Sequence, residues 1–471
     1  MQKLNDICFC EKKTNLGDEF VGIRCVNSID EKKCKTEICF PMGYFKDDVV
    51  IRALPEEKVR ESVMNLFSVL SDVDLLSNIH EDSLIAIASE DTNETVFPML
   101  AYLNVIRSYL DNGYITEREV VFKKKAHGKV NWNRTIKMTR PVVTDDEENI
   151  VYLDLIARKV SYNEDCLITL VHKFCVHDAI NRLGFLFGIE PTEEPILDFD
   201  YELFCSAVNA KLSETFNDRD LHLLADLAKI IEFLAEHQTE DGVNTDFYFG
   251  VNTFAPVWEA MVDKIFGNLP QGVAKDKFNP HLKWNDSVLN VESDEEKVLN
   301  DPKRSTLRPD TIMVAEIPDQ AGNDKMNREN DVEGVYVLDS KYYKFGLTKN
   351  RCHLPGAESV CKQMAYAEYV ETKWKDFFGD DVGSSTSPKP IFNAFVMPYC
   401  ADAVDSIATP SAALQNDYWS SKMKFEGYIY GDWKDGSKPY HRIACILLDV
   451  KSVMENYSSS VEAQKALSSL I

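Results

Sequence analysis

Nothing in this chain approaches the ~20 consecutive apolar residues that a membrane-spanning helix requires, so no membrane span is expected. Its first residues, Met1-Gln-Lys-Leu-Asn-Asp6, lack the apolar core of a secretory signal, and a cytoplasmic protein is the default expectation. Positive charge is scarce. Lys and Arg number 52 against 77 Asp and Glu, a net charge of −25, which argues against unaided binding of nucleic acid, because that affinity rests on Lys and Arg at phosphates. Cysteines in the C-x2-C spacing are missing too. Of the 12 present, five come early (Cys8, Cys10, Cys25, Cys34 and Cys39), at irregular spacing rather than in the C-x2-C pairs of a zinc site. Buried, reduced cysteines are expected there, and disulfides are not expected in a reducing compartment. No internal repeat or low-complexity tract is present.

What is present is an ordinary globular composition over 471 residues, enough for two or three domains with real cores. Residues 1–55 read as β-rich, with apolar runs at Phe20–Cys25 and Ile38–Gly43 and a turn or bulge marked by Pro41 and Gly43. A helix is predicted from Pro55 to about Leu76, carried by Val59, Val63, Met64, Phe67 and Leu70 at helical spacing, and another over Phe97–Asn112, closed by Gly113. Residues 150–240 read as mainly helical, notably Asn163–Phe187 and Thr215–Gln238. His172 and His177 within them are off the i, i+4 register of a two-histidine metal face.

The polar stretch Thr239–Asn244 marks a boundary. Beyond it a single α/β unit is predicted: a helix at Pro256–Phe266, strands at 311–316 and 334–339, a helix at Glu358–Phe377, strands at Ile391–Met397, Phe425–Tyr430 and Ile443–Leu448, and a terminal helix. The expected division is thus an N-terminal mixed α+β domain at 1–150, suited to partner docking, a helical region at 151–240, and an α/β domain at 241–471. Between Val121 and Pro141 lie Lys123, Lys124, Lys125, Lys129, Arg134, Lys137 and Arg140 with no acid among them, either a solvated basic face or a phosphate or partner contact.

The most informative pattern is Arg308-Pro309-Asp310 at the head of one predicted strand and Asp339-Ser340-Lys341 at the end of the next. Antiparallel pairing would bring Asp310 close to Asp339, and strand alternation points Asp339 and Lys341 the same way. Two carboxylates there can hold Mg²⁺, which wants hard oxygen ligands and keeps several waters, while an ammonium steers water or neutralises phosphate charge. A bare Asp-x-Lys is weak evidence, since Glu371-Thr-Lys373, Asp432-Trp-Lys434 and Asp449-Val-Lys451 also match, the last at the end of a predicted strand. A surface salt-bridge set is the competing reading of Asp310, Asp339 and Lys341. Glu259, on the helix upstream, is suited to complete an acidic cluster, which divalent metal relieves of its repulsion. Gln363 and Tyr366 share one face of the following helix and can reach toward a scissile phosphate.

Taken together these residues resemble the PD-(D/E)xK nuclease superfamily, with Asp310, Asp339 and Lys341 matching its core motif. More narrowly, the chain resembles the LlaJI-type restriction endonuclease family and its relative McrC. The segments that carry this are Phe20-Val-Gly-Ile23, Phe40-Pro-Met-Gly-Tyr44, Gly128–Ile136, Tyr248-Phe-Gly250 through Trp258-Glu259, and Gln363–Ala367. The resemblance implies a restriction-endonuclease-like C-terminal domain and a Mg²⁺-dependent cut of double-stranded DNA that leaves a 5′-phosphate. Asp310, Asp339, Glu259 and the Ser340 carbonyl would be metal ligands, Lys341 would act on water or phosphate, and Gln363 would steady the phosphate or Lys341. It further implies an McrB-like AAA+ GTPase partner that holds the DNA, and an associated DNA methyltransferase. Two other functions stay open: a non-catalytic adaptor that activates the partner GTPase, and a stand-alone DNA repair nuclease.

Overall fold

The computed structural model describes residues 8–11, 20–27, 34–46, 48–72, 75, 97–124, 128–143, 150–163, 166–190, 192–239, 242–243, 247–282, 306–317, 333–378, 389–401 and 418–471. Lys125 and nearly all of the insertion Asp319–Glu333 lie outside them. The chain is mixed α/β and forms two compact units, Asn93–Thr245 in one and Ile7–Thr92 with Asp246–Ile471 in the other. No described helix is long and apolar enough to cross a membrane.

In this division Ile7–Thr92 belongs with the C-terminal residues, and a break falls at Thr245, beside the polar stretch Thr239–Asn244. The cause of that grouping is a backbone pairing invisible to local pattern: Phe247–Val251 lies antiparallel to Val21–Asn27, joining a four-stranded sheet with Cys34–Phe40 and Cys8–Glu11. Gly22 stands opposite Gly250. A Cβ on Gly22 would fall 2.2 Å from the Phe249 carbonyl oxygen, and one on Gly250 would fall 2.3 Å from that of Val21, so the close approach admits only glycine at both places. The next turn, Pro41–Tyr44, is closed by the Tyr44 N–H donating to the Pro41 carbonyl at 3.1 Å.

The remainder of this unit is built on a five-stranded mixed sheet, in the order Thr311–Glu316, Glu333–Ser340, Ile391–Tyr399, Arg442–Asp449, Met423–Tyr430. The three central strands run parallel and the two edges antiparallel. The central strands are nearly continuous apolar runs, as burial on both faces demands. Helix Ala357–Phe378 covers one face. Its Tyr366, Ala367, Val370 and Trp374 pack with Ile312, Val335, Val337 and Ile391. The predicted strands and helices of this region are all found, with ends moved by a residue or two.

Asp449, the acid of the competing Asp-x-Lys, is consumed by the fold. It caps helix Val450–Glu455, accepting from the Ser452 N–H at 3.0 Å and the Ser452 hydroxyl at 2.6 Å through one oxygen, and from the Ala401 N–H at 2.7 Å through the other. A buried carboxylate so satisfied is a structural joint.

In Asn93–Thr245, helices Met99–Asn112, Leu167–Phe187, Tyr201–Glu214 and Asp218–Glu236 pack around Val171, Cys175, Leu183, Leu227, Ile230 and Leu234. A three-stranded antiparallel sheet, Glu117–Lys124, Ile156–Asn163 and Lys129–Val130, carries part of the basic segment. Asn131 caps the helix Trp132–Met138, and the Arg134 guanidinium sits 3.8 Å over the Phe122 ring. His172 is wholly buried. Its Nδ1 accepts from the Ile115 N–H at 3.0 Å, its Nε2 has no partner, and burial holds its pKa down at about 4.

Two outcomes follow from these joints. Asp449→Ala should cost roughly 2–4 kcal/mol by orphaning three buried donors, read as a lower melting temperature; an unchanged melting curve would show that the cap is dispensable. For His172, the folded pKa lies below the ~6.5 of an unfolded histidine, so stability is full above that value and falls as pH drops toward 4. Denaturant unfolding should therefore lose about 2 kcal/mol between pH 7 and pH 5. His172→Gln should flatten that slope, and an identical slope in the variant would refute the assignment.

Candidate active site

The strand pairing places the acids. Thr311 stands opposite Leu338, so one step further sets Asp310 beside Asp339, as antiparallel pairing of the two motif strands predicts. The Ser340 N–H donates to Asp310 Oδ2 at 2.7 Å, and the charge of Asp339 acts on the Asp310 carboxyl. Lys341, one pleat beyond Asp339 and on the same face, reaches back with Nζ 2.9 Å from Asp339 Oδ2. Asp339 is 3% exposed, while Lys341 keeps about a quarter of its side chain in solvent, with 23% exposed. This face is the one that carries Ile312 and Val337, so the charged groups begin where the apolar layer under helix Ala357–Phe378 stops.

Electrostatics mark these residues out. The Asp310 carboxyl is deeply buried although the residue as a whole is partly exposed. Burial, then the charge and hydrogen bond of Asp339, then Glu259, hold its pKa well above the carboxylate range. Burial works against the charge of Lys341, but Asp339 and Asp310 outweigh it and raise the amine's pKa. Glu259 comes from helix Ala255–Phe266, whose Val257, Trp258, Met261, Val262 and Ile265 are buried. Its carboxyl is pushed up to about 7, chiefly by burial and further by Asp339, with Lys341 and Lys275 pulling the other way.

Parts of three resemblance segments lie around this point. Phe254 and Trp258 have ring centroids 5.6 and 6.2 Å from that of Tyr342, which follows Lys341, and the Tyr342 hydroxyl donates to the Met42 carbonyl at 3.4 Å. Gln363 takes a different position from one facing a phosphate. It is fully buried, and its amide donates to the Val337 carbonyl at 2.7 Å and to Asn393 Oδ1 at 3.2 Å. It clips the motif strand to its parallel neighbour. Tyr366 is buried beside the acids, hydrogen-bonded to the backbone of Arg308.

Asp310, Asp339 and Glu259 are hard oxygen donors, suited to Mg²⁺ rather than zinc. Among the described residues no group of three or more His, Cys, Asp or Glu is placed to hold a metal ion, so Glu259 does not close with Asp310 and Asp339 into a three-acid set. The carboxyl pair fits a cation that keeps most of its waters, and two buried acids whose charges repel are what a divalent ion relieves. Among the described residues, buried polar atoms without a hydrogen-bond partner include Gln363 Oε1, Trp258 Nε1 and the hydroxyls of Thr311 and Ser340, which strand alternation turns to the face opposite Asp310 and Asp339. The other Asp-x-Lys matches are engaged elsewhere, Glu371 with Lys438 and Tyr440, and Lys434 with Glu368. Sequence reasoning missed Lys275, which donates to the Asp310 carbonyl and sits in no motif or periodic segment, and Asn393, which lies within a predicted strand but meets Gln363 only through packing of segments remote in the chain.

Residues 39–408 match the LlaJI restriction endonuclease family model. A protein of Bacillus subtilis (strain 168), the type II restriction enzyme BsuMI component YdjA, is 24% identical over 267 residues, which cover 55% of this chain and 51% of that protein. The chain thus spans about half the length of the curated relative it matches. Among solved structures, the refined half-complex from the tetradecameric assembly of Thermococcus gammatolerans McrB AAA+ hexamers with bound McrC matches 96% of this chain and 83% of that chain, at 13% identity and a TM-score of 0.30. On the family match, which runs over most of its length, the chain belongs to the LlaJI restriction endonuclease family.

Proposed function

We propose that this chain is the DNA-cutting subunit of a restriction system, a Mg²⁺-dependent phosphodiesterase of the PD-(D/E)xK type acting on double-stranded DNA. The observation that carries the reading is the buried carboxyl pair Asp310–Asp339 with Lys341 held 2.9 Å from Asp339. A fold does not retain two such acids side by side for stability, since each keeps the other's charge costly. Membership of a restriction endonuclease family supports the same chemistry.

In this reading Asp310 and Asp339 hold the ion, with the Ser340 carbonyl and Glu259 as further oxygens. Bound Mg²⁺ supplies a water of lowered pKa and neutralises charge on the scissile phosphate. Lys341 orients that water through its amine or pairs with the developing phosphate charge, and its contact with Asp339 keeps it aimed. Gln363 acts at one remove by fixing the strand that ends in Asp339. The acidic balance of the chain favours delivery to DNA by a partner, which we assign to an AAA+ GTPase. The relative's description as a component of a restriction enzyme agrees with a multi-subunit machine, in which a methyltransferase protects host DNA.

A docking role in the other unit is compatible with this, favoured by exposed Trp132, Ile136 and Met138 on the short helix that carries Arg134. With the partner present, Asp339→Ala and Lys341→Ala should each lower cutting of supercoiled DNA by at least about 100-fold while leaving stimulation of GTP hydrolysis intact. Undiminished cutting by both variants would make the chain an adaptor. A second measurement separates a ligand from a structural acid. Asp310→Asn keeps the acceptor for the Ser340 N–H and removes a buried acid whose ionisation burial and Asp339 oppose, so at alkaline pH, where wild type must charge both acids, the metal-free variant should melt about 2–4 °C higher. A lower melting temperature would favour the salt-bridge reading.

A further inference from the structure

We propose that Lys275 is a positioning residue that clamps the Glu259 helix to Asp310 and sets the spacing of the metal-binding oxygens, an inference that rests on the nuclease reading. Its Nζ donates to the Asp310 backbone carbonyl at 2.7 Å and to Asp263 Oδ2 at 2.6 Å. Asp263 lies one helical turn after Glu259, on the same side of helix Ala255–Phe266. One ammonium therefore joins the turn that carries Glu259 to the peptide that carries Asp310.

The segment leading to Lys275 is fastened along the same strand. Asn268 behaves as a neighbouring strand would: its Oδ1 accepts from the Val314 N–H at 2.6 Å and its Nδ2 donates to the Val314 carbonyl at 2.8 Å. Its amide group also reaches Gln464 Oε1 at 2.9 Å, and Gln464 in turn donates to the Ile265 carbonyl at 3.2 Å. The strap thus holds the edge strand at Val314 through Asn268 and at Asp310 through Lys275. Asp310 is gripped from two sides, its carboxylate by the Ser340 N–H and its carbonyl by Lys275. An exposed ion pair contributes little to stability. This one differs in spending a donor on the backbone of a proposed ligand, which is what an outer-shell partner does.

The sign of the effect on metal affinity tests the idea. By charge alone, removing a nearby cation should tighten binding of Mn²⁺. A clamp predicts the reverse. Calorimetric titration of the full chain with Mn²⁺ should show Lys275→Met binding about 10-fold more weakly than wild type, with Lys275→Arg retaining most of the affinity. In the assembled complex, Lys275→Met should lower kcat for cleavage with KM for DNA unchanged. Lys275→Gln, a milder change with a shorter polar head, should move affinity in the same direction and serves should the methionine variant fold poorly. Equal or tighter Mn²⁺ binding by the two uncharged variants, alongside loss of binding in Asp310→Asn, overturns the clamp and leaves the nuclease site standing. Unchanged binding in Asp310→Asn overturns the site, and the clamp with it.

Discussion

Two buried carboxyl groups at the meeting of antiparallel strand ends are the constraint around which this unit is organised. Asp310 and Asp339 repel wherever both are charged, and burial makes that repulsion costly. The surroundings offset it with an N–H from Ser340, the Lys341 amine and, at the peptide of Asp310, the Lys275 amine. None of these fully removes the cost, and a divalent cation would. Such local strain is what a site keeps when its chemistry needs the charge.

The rest of the unit explains how that point is held still. Gln363 locks the Asp339 strand to the Ile391–Tyr399 strand from beneath, and Asn393 passes the connection on to the Tyr440 carbonyl at 3.0 Å. On another side, Phe254 and Trp258 lie against Tyr342, and the turn at Met42 meets its hydroxyl. Gly43 in that turn has a positive φ of 89°, and a Cβ there would meet Val450 at 3.0 Å, in the helix that Asp449 caps. Motif segments far apart in the chain are thus parts of one support.

Charge is unevenly spread along the chain. A chain with a net charge of −25 has little to offer DNA over its surface, and the cations nearest the acids are engaged with them. The basic segment lies in the other unit, on a small sheet and a capped helix, with Arg134 stacked on Phe122 and apolar side chains exposed beside it. Mixed basic and apolar exposure suits a protein partner at least as well as a phosphate backbone.

Much of this was legible before any coordinates. Strand and helix positions followed from periodicity, because burial on one face or two imprints itself on sequence. The pairing of Asp310 with Asp339, and the shared face of Asp339 and Lys341, followed from strand alternation alone. Other features depend on contacts between segments distant in the chain and leave no local trace. The choice between Asp339 and Asp449 turns on an N–H from Ala401 that satisfies one and not the other. Gln363 reads as a surface-reaching helix residue, yet the helix packs so that its amide is spent on Val337 and Asn393. Ile7–Thr92 joins the C-terminal unit through remote strands that Gly22 and Gly250 let approach. Lys275 has no motif, and its place at the Asp310 carbonyl exists only because Asn268 lays its segment along the strand edge. Composition and spacing determined the residue types and the faces they share, since those depend on near neighbours; which acids stay unsatisfied, and what braces them, was decided by tertiary packing.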